Sequence, residues 1–432
     1  MEDKIEGREL ALKSLIKYEK NGLTIRESSE EGRASSLNKN IQKAYDYFYG
    51  TIRHLKKLDY IISKHLRKYN LFDLPLPIRN ILRLGIYGIQ NSGDPEYAVV
   101  DSYVKLARKY GHNGTASLVN GVLRNLHPVD FPEDRIEYLS IFYSHPRWLI
   151  EKFLSIFGDK SEKILEKNNE IPRISIRVNR LKTSTFSLKR RLNEEGIDTE
   201  NSNFSEYNLL TDSNVLYTNA FKEGFFSVQA VTQTLITEML NPKRGEVILD
   251  LCSSPGGKST GIAEIMEDNG VVVSVDLKNL NNVVYNCKRL GIKSVYPVQA
   301  DAREFQIKKA DRIMLDVPCS GTGTLGQKAD IRWNIKPLNI QSLKLLQRSI
   351  LNNAAKNLKP GGILLYATCS ILPEENEEQV YDFLDKNKDF ELNPLNSNEL
   401  FLSKIQGLGA QTGGFAASIR KKSPQLKKFI GK

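Results

Sequence analysis

Cysteine is scarce in this chain: four in 432 residues, at Cys252, Cys287, Cys319 and Cys369. So few thiols, with no CxxC pair among them, exclude a disulfide framework and predict a reducing compartment, where isolated thiols are available for chemistry. Histidine is nearly as rare, at five, and shows no ligand spacing, so no metal site is expected. Long apolar runs are missing as well. None reaches the roughly 20 residues that a membrane-spanning helix needs, so no membrane partner is expected. The opening MEDKIEGREL is charged from its second residue, which predicts no secretory signal and a cytoplasmic location. Hydrophobic residues make up 40% and charged residues 26%, a globular composition that argues against a disordered chain.

What the chain has in excess is positive charge. Lysine and arginine number 62 against 51 acids, a net charge of +11. That balance favours a polyanionic partner, nucleic acid first, although a basic surface without any partner has the same arithmetic. The length suggests two or three domains, because single cores rarely grow beyond roughly 250–300 residues.

Three textures follow one another. Residues 1–130 carry apolar residues three and four apart, as in AYDYFYGTIRHLKKLDYIISKHLRKY and PIRNILRLGIYGIQ, and read as an all-α unit. Within it, residues 51–68 hold Arg53, Lys56, Lys57, Lys64, Arg67 and Lys68 against the single acid Asp59. Such a helix face tracks phosphates or is simply solvated. Residues 131–223 begin helically and then alternate, PRISIRVNRL placing Ile174, Ile176 and Val178 on one side. A small α+β unit with a basic side is expected there, since residues 173–191 hold seven Lys/Arg and no acid. From 224 to 432 short apolar runs (EVILDL, VVVSVDL, SVYPVQA, RIMLDV, GILLYA) are separated by helical segments, which predicts a doubly wound α/β domain of Rossmann-like type. The last 16 residues carry six basic residues and no acid.

The chemistry concentrates at the expected carboxyl ends of those strands. DLCSSPGGKST (residues 250–260) is a strand end, a Gly/Pro loop and a helix start, the arrangement that brings backbone close to a nucleotide. It is neither GxGxxG nor a P-loop, whose first glycine is replaced by Cys252. Asp276 ends the next strand, 26 residues after Asp250, where such sheets place a carboxylate on ribose hydroxyls. Asp301 follows the strand after that. Asp at a strand end also serves as a helix N-cap, which is the structural alternative for each. LDVPCSGTGTLG brings Asp316, Cys319 and Ser320 to a fourth strand end, and LLYATCSILPEENEEQV brings Thr368, Cys369 and Ser370 to a fifth. A lone cysteine is usually a small buried hydrophobe. Two of them at neighbouring strand ends should meet in one cleft, and a helix expected to start after Cys369 would favour its thiolate.

These strings together resemble the Nol1/Nop2/Sun family of RNA cytosine-5 methyltransferases. Its hallmarks are PCS at one strand end, TCS at the next and a D-x-C-x-x-P-G-G-K loop, here Pro318-Cys319-Ser320, Thr368-Cys369-Ser370 and Asp250 to Lys258. RNILRLGIYGI and ARKYG…LVNGVLRNL are similar to the helical RNA-binding fold of NusB, a combination found in bacterial members that act on small-subunit ribosomal RNA. The resemblance implies S-adenosyl-L-methionine as cofactor, held by Cys252, Ser253, Ser254, Pro255, Gly256, Gly257, Lys258, Asp276, Asp301 and Asp316. It implies small-subunit ribosomal RNA as partner, with no DNA, and a monomer. Two departures stand out: Ser253-Ser254 replaces the family's Ala-Ala, and Gly413-Gly414-Phe415-Ala416 replaces its Asp-Gly-Phe-Phe.

By the same resemblance Cys369 adds to C6 of cytosine, making C5 nucleophilic, Asp316 offsets charge at N3 by holding or sharing a proton, and Cys319 assists release of the product. Lys258 is expected to hold the loop or to touch RNA. The basic segments at 51–68, 173–191 and 420–432 are candidate phosphate contacts. Other readings are a transfer RNA cytosine-5 methyltransferase, which the NusB-like half disfavours, and a non-catalytic RNA-binding assembly factor, which the intact thiols disfavour. A dehydrogenase would lack its glycine fingerprint.

Overall fold

A computed structural model describes residues 2–21, 39–278, 280–394, 402–403 and 413–423. The chain forms two compact units, residues 1–170 with 328–334, and residues 171–327 with 335–432.

Among the described residues the first unit is helical: α1 Glu2–Asn21, α2 Lys39–Arg53, α3 Leu55–His65, α4 Leu76–Asn91, α5 Glu96–Tyr110, α6 Asn113–Arg124, α7 Arg135–Phe142, α8 Arg147–Phe157 and α9 Lys160–Asn169. Each amphipathic helix turns one stripe inward, and Leu12, Phe48, Ile62, Ile81, Leu84, Tyr103 and Leu123 meet in one core. The basic run at 51–68 is not the solvated face it suggests in sequence. Arg53 is buried, Lys56 donates to Ser140 and pairs with Glu137, and Lys57 lies over the Phe142 ring. The run turns much of its charge toward α7, leaving Lys64, Arg67 and Lys68 exposed.

Residues 328–334 fall inside the stretch expected to be purely catalytic, yet they pack into this helical unit. Ala329 joins its core. Arg332 is fully buried and donates to the carbonyl oxygens of Arg53, Ser144 and Asn168 and to Asn169 Oδ1. Trp333 Nε1 donates to Ile52 O at 2.9 Å.

The second unit holds two sheets. The smaller comprises β1 Ile174–Val178, β2 Glu200–Asn201, β3 Asn208–Thr211 and β4 Phe226–Val228, antiparallel in the order β2-β3-β1-β4, with α10 Thr185–Glu194 against it. After α11 Val231–Met239 come β5 Val247–Leu251, α12 Gly257–Ile265, β6 Val271–Asp276, α13 Asn281–Leu290, β7 Val295–Gln299, β8 Ala310–Asp316, α14 Pro337–Asn357, β9 Leu358–Thr368, α15 Glu377–Lys386, β10 Phe390–Leu392, β11 Leu402–Ser403 and β12 Phe415–Lys421. Strands β9-β8-β5-β6-β7 are parallel, and β12 continues the sheet antiparallel to β9. This is the Rossmann-like α/β architecture that the alternating apolar runs predict. The chain winds β5-β6-β7 to one side and β8-β9 to the other, so order reverses between β5 and β8, where open α/β sheets bind ligands.

Charge in the smaller sheet is also used internally. Arg173, Arg177, Arg180, Arg190 and Arg191 pair with Glu200, Glu264, Glu238, Glu194 and Glu223. A count along one segment misses acids that lie outside it, and here five of the seven basic residues of 173–191 have such a partner. Arg420, Lys421 and Lys422 are described, and the rest of the C-terminal basic run lies outside the described residues.

Candidate active site

The loop after β5 turns sharply to deliver its backbone to the switch point. Cys252 has φ 61° and Gly256 φ 94°, both left-handed. At Gly256 the positive φ favours glycine, and a side chain would also crowd Val283, whose atoms stand 3.1 Å from a Cβ placed there. Ser253 N–H donates to Val275 O and Ser254 N–H to Asp276 Oδ2, fastening the loop to β6.

Behind the loop runs a buried hydroxyl chain. Ser259 Oγ donates to Asp250 Oδ2 at 2.5 Å and bonds Ser274 Oγ, which in turn donates to Ser253 Oγ. The serine at 253, where the family has alanine, is therefore not idle, because its hydroxyl closes this chain. Asp250 is fully buried, and that burial pushes its carboxyl up to about 7, against the opposing pull of Ser259 and Lys258.

The carboxylates at the strand ends converge. Burial pushes the Cys252 thiol up, and the charges of Asp276, Asp316, Asp250 and Asp301 push it further. Carboxylates gathered at strand ends can accept hydrogen bonds from the vicinal hydroxyls of a nucleoside. The carboxylate of Asp301 is turned onto Arg303, whose backbone N–H, Nε and Nη2 all donate to it, and it is held below the usual carboxylate range by that contact. Asp316 is paired rather than open: Lys258 Nζ reaches its Oδ2 at 2.5 Å and also contacts Gln233 Oε1. Lys258 is thus turned into the site and paired there.

A second support for the loop comes from the smaller sheet. Arg177 on β1 donates to Gly257 O at 2.5 Å, to Thr260 Oγ1 and to Glu264 Oε1, and it contacts Gln229. Both members of the Arg177–Glu264 pair are buried. Nothing in RISIRVNRL announces this, because the partners lie 52 to 87 residues away.

The two expected thiols meet. Cys319 Sγ and Cys369 Sγ stand 3.0 Å apart, and Cys369 N–H donates to Cys319 Sγ at 3.2 Å. The Cys319 thiol is pushed well up, first by its bond to Cys369, then by burial, then by the charges of Glu375 and Asp316. No helix starts at Cys369. Pro373–Glu375 forms a short turn and α15 opens only at Glu377, so the expected helix N-terminus is not what conditions this thiol. Gly323 passes between the cysteine loop and the divergent C-terminal segment, its N–H donating to Cys369 O at 2.9 Å and its O accepting Gly413 N–H at 2.6 Å. A Cβ at Gly323 would sit 2.5 Å from Gly413 O and 2.8 Å from Cys369 O. The Gly413-Gly414 departure therefore contributes through backbone rather than through a side chain.

Comparison with known proteins agrees with this geometry. The family model of 16S rRNA methyltransferase RsmB/F matches residues 237–423, that of the NusB family residues 6–128, and that of an RsmF/B-like ferredoxin-like domain residues 145–216. A probable ribosomal RNA small subunit methyltransferase B of Bacillus subtilis is 32% identical over 406 residues, spanning 90% of each chain. A ribosomal RNA small subunit methyltransferase B of Klebsiella pneumoniae is 32% identical over 91% of this chain and 92% of its own. Among solved structures, a methyltransferase homologue from Pyrococcus horikoshii is 26% identical, with TM-score 0.59 over 67% of this chain and 100% of its own.

Proposed function

Because the chain belongs to the RsmB/F family of 16S ribosomal RNA methyltransferases, we propose that it methylates C5 of a cytosine in small-subunit ribosomal RNA through a covalent adduct on Cys369. The observation that carries this reading is the 3.0 Å separation of two thiols at the ends of neighbouring parallel strands. Methylation at an exocyclic amine or a ribose hydroxyl has no use for such a pair.

S-adenosyl-L-methionine supplies an electrophilic methyl group when bound. The loop Cys252–Lys258 and Asp276 are the residues to hold it, with Asp301 as a further acceptor. Cys369 Sγ bonds C6 of the cytosine. The C5=C6 electrons move toward N3, where the Lys258–Asp316 pair provides the proton that offsets the charge. C5 then takes the methyl. Its remaining proton passes to Cys319, the C6–S bond breaks with its electron pair on Cys369 Sγ, which leaves as thiolate, and N3 returns its proton to the Lys258–Asp316 pair.

The coupling of the thiols gives this sequence an order. While Cys369 carries negative charge, Cys319 stays protonated beside it. Once Cys369 becomes a neutral thioether, the largest cause of that rise is gone. Cys319 can then lose its proton to solvent and accept the one on C5.

The test is methyl transfer from radiolabelled S-adenosyl-L-methionine to protein-free small-subunit RNA, assembled small subunits and bulk transfer RNA. Label on ribosomal RNA that vanishes in Cys369→Ala, with a stable protein–RNA adduct in Cys319→Ala, is the expected result. Label on transfer RNA alone would overturn the substrate, and label persisting in Cys369→Ala would overturn the adduct. The compartment of such an enzyme is the cytoplasm, where its ribosomal substrate is made.

A further inference from the structure

We propose that the consecutive residues Glu375 and Asn376 are positioning residues for the two thiols, Glu375 holding the loop that carries Cys319 and Asn376 the loop that carries Cys369. The proposal rests on the two-thiol reading above.

The residues on both sides of each cysteine are held from this one turn. Glu375 Oε1 accepts Ser320 N–H at 2.8 Å and Gln347 Nε2 at 3.0 Å, and Oε2 accepts Ser320 Oγ at 2.5 Å. Gln347 Nε2 also donates to Pro318 O at 2.9 Å, so the Glu375–Gln347 pair grips the residue before Cys319 and the residue after it. Asn376 Oδ1 accepts Thr368 Oγ1 at 2.6 Å, and its Nδ2 donates to Ser370 O at 3.0 Å, which are the two neighbours of Cys369. The turn is itself tied to β9, since Tyr366 OH donates to Glu375 O at 2.7 Å. Between the loops, the hydroxyls of Ser320, Thr322 and Ser370 bond one another at 3.1 and 3.2 Å.

All of this is dry: Glu375 and Asn376 are buried, as are Ser320, Thr368 and Ser370. A carboxylate taken so far from water is expensive unless fully hydrogen-bonded, and apolar packing would hold two loops together without it. What apolar packing does not provide is directional control over backbone on either side of a reacting atom. Strands alone do not provide it either, because neighbouring strands lie about 4.8 Å apart, well beyond the separation of the two sulfurs.

Glu375 also brings charge. The ionisable groups facing Cys319 are Cys369 and Tyr366 from β9 and its loop, Asp316 from the end of β8, and Glu375 from the turn. Removing the Glu375 charge makes the Cys319 thiol easier to ionise, so the rise of rate with pH that reports Cys319 must move to lower pH.

The experiment uses the full chain with Glu375→Gln, which preserves shape and removes charge, under multiple turnover on protein-free small-subunit RNA from pH 6 to 9, and follows methylated RNA freed from the protein, the step that needs Cys319. We expect its release at neutral pH to fall about 10- to 100-fold with the KM for S-adenosyl-L-methionine within about twofold of wild type, and the acid limb of the profile to shift down. A loss of folding alone would scale the whole profile without moving it. Ser320→Ala, which removes one donor and leaves the carboxylate, is the second variant and should lower the rate with the same unchanged KM. Wild-type rates in both variants, or a lowered profile with its limb unmoved, would overturn the proposal. An inactive wild-type chain would instead overturn the two-thiol reading on which it stands.

Discussion

Lys258 and Asp316 form a short, nearly enclosed ion pair, Nζ to Oδ2 at 2.5 Å, that joins the first turn of α12 to the end of β8. The pair links the loop assigned to the cofactor with the carboxylate assigned to the base. It makes the two assignments interdependent, since neither residue can be changed without altering the charge presented by the other.

Lys258→Met and Asp316→Asn are each expected to reduce single-turnover methyl transfer by about 10²–10⁴, the range for loss of a positioned proton donor. The double variant should lose little more than either single one, because residues acting as a unit are strongly non-additive. Fully additive losses, measured on the same RNA, would show that the two side chains act separately.

Arg177 is the buried support behind the cofactor loop. Arg177→Ala leaves Glu264 unpaired in a dry site and should lower stability by about 3–5 kcal/mol in urea unfolding. Replacing both residues, Arg177→Met with Glu264→Leu, should recover most of that stability, since apolar groups of like volume tolerate the same place. Affinity for S-adenosyl-L-methionine should stay weak in the double variant, because Gly257 O has lost its donor. Recovery of both together would reduce Arg177 to packing.

Contiguous strings account for what was legible in the sequence. The strand ends at Asp250, Asp276 and Asp316 and the two cysteines lie in short runs whose apolar lead-in and polar loop are visible without partners. Glu375, Asn376, Gln347 and Arg177 were not legible as site residues. Their meaning lies in bonds to segments 6 to 87 residues away, and a carboxylate in PEENEEQV reads as surface until its burial is known. The internal pairing of the basic runs was hidden for the same reason: Glu137, Glu264 and Glu238, which pair with them, come from other segments. Residues 328–334 look like ordinary loop between PCS and α14, and only packing assigns them to the helical unit.

Two histidines of the helical unit predict acid sensitivity. Burial holds His54 down to about 4, and it holds His145, fully buried, well below its ordinary value. His145 Nδ1 donates to Tyr143 O at 2.7 Å, a bond that opposes the shift without overcoming burial. The unfolded chain binds protons at these sites before the folded one does, so stability falls as pH drops from about 6.5 toward 4. For His54 alone the loss approaches about 3 kcal/mol at pH 4, at about 1.4 kcal/mol per unit. His54→Gln should flatten the dependence of Tm on pH in that window, and an unchanged slope would remove His54 as the cause.

Asp250 works in the opposite direction. Its carboxyl is raised to about 7, so the folded state keeps a proton that the unfolded chain has already released. Its contribution is present below about pH 4 and is lost as pH rises toward 7. Asp250→Asn, which preserves an acceptor for Ser259 Oγ, should therefore raise stability more at pH 7 than at pH 4.5 relative to wild type. Equal effects at the two pH values would contradict the raised carboxyl.

Arg332 offers the sharpest test of how residues 328–334 are held. Burial pushes its guanidinium down to about 9, still charged at neutral pH, and it donates to three carbonyl oxygens and one amide oxygen. Those oxygens belong to Arg53, Ser144, Asn168 and Asn169, at the ends of α2 and α9 and in the α7–α8 turn. Arg332→Ala strands several buried acceptors at once, each worth about 1–3 kcal/mol when left unsatisfied. Trp333→Phe retains an aromatic ring and loses the single bond to Ile52 O, worth about 1 kcal/mol. Arg332→Ala should thus lower the urea midpoint by several times as much as Trp333→Phe and expose the segment to limited proteolysis under native conditions. If both variants remain equally protected, the segment is held by Ala329 and the packed indole rather than by the guanidinium.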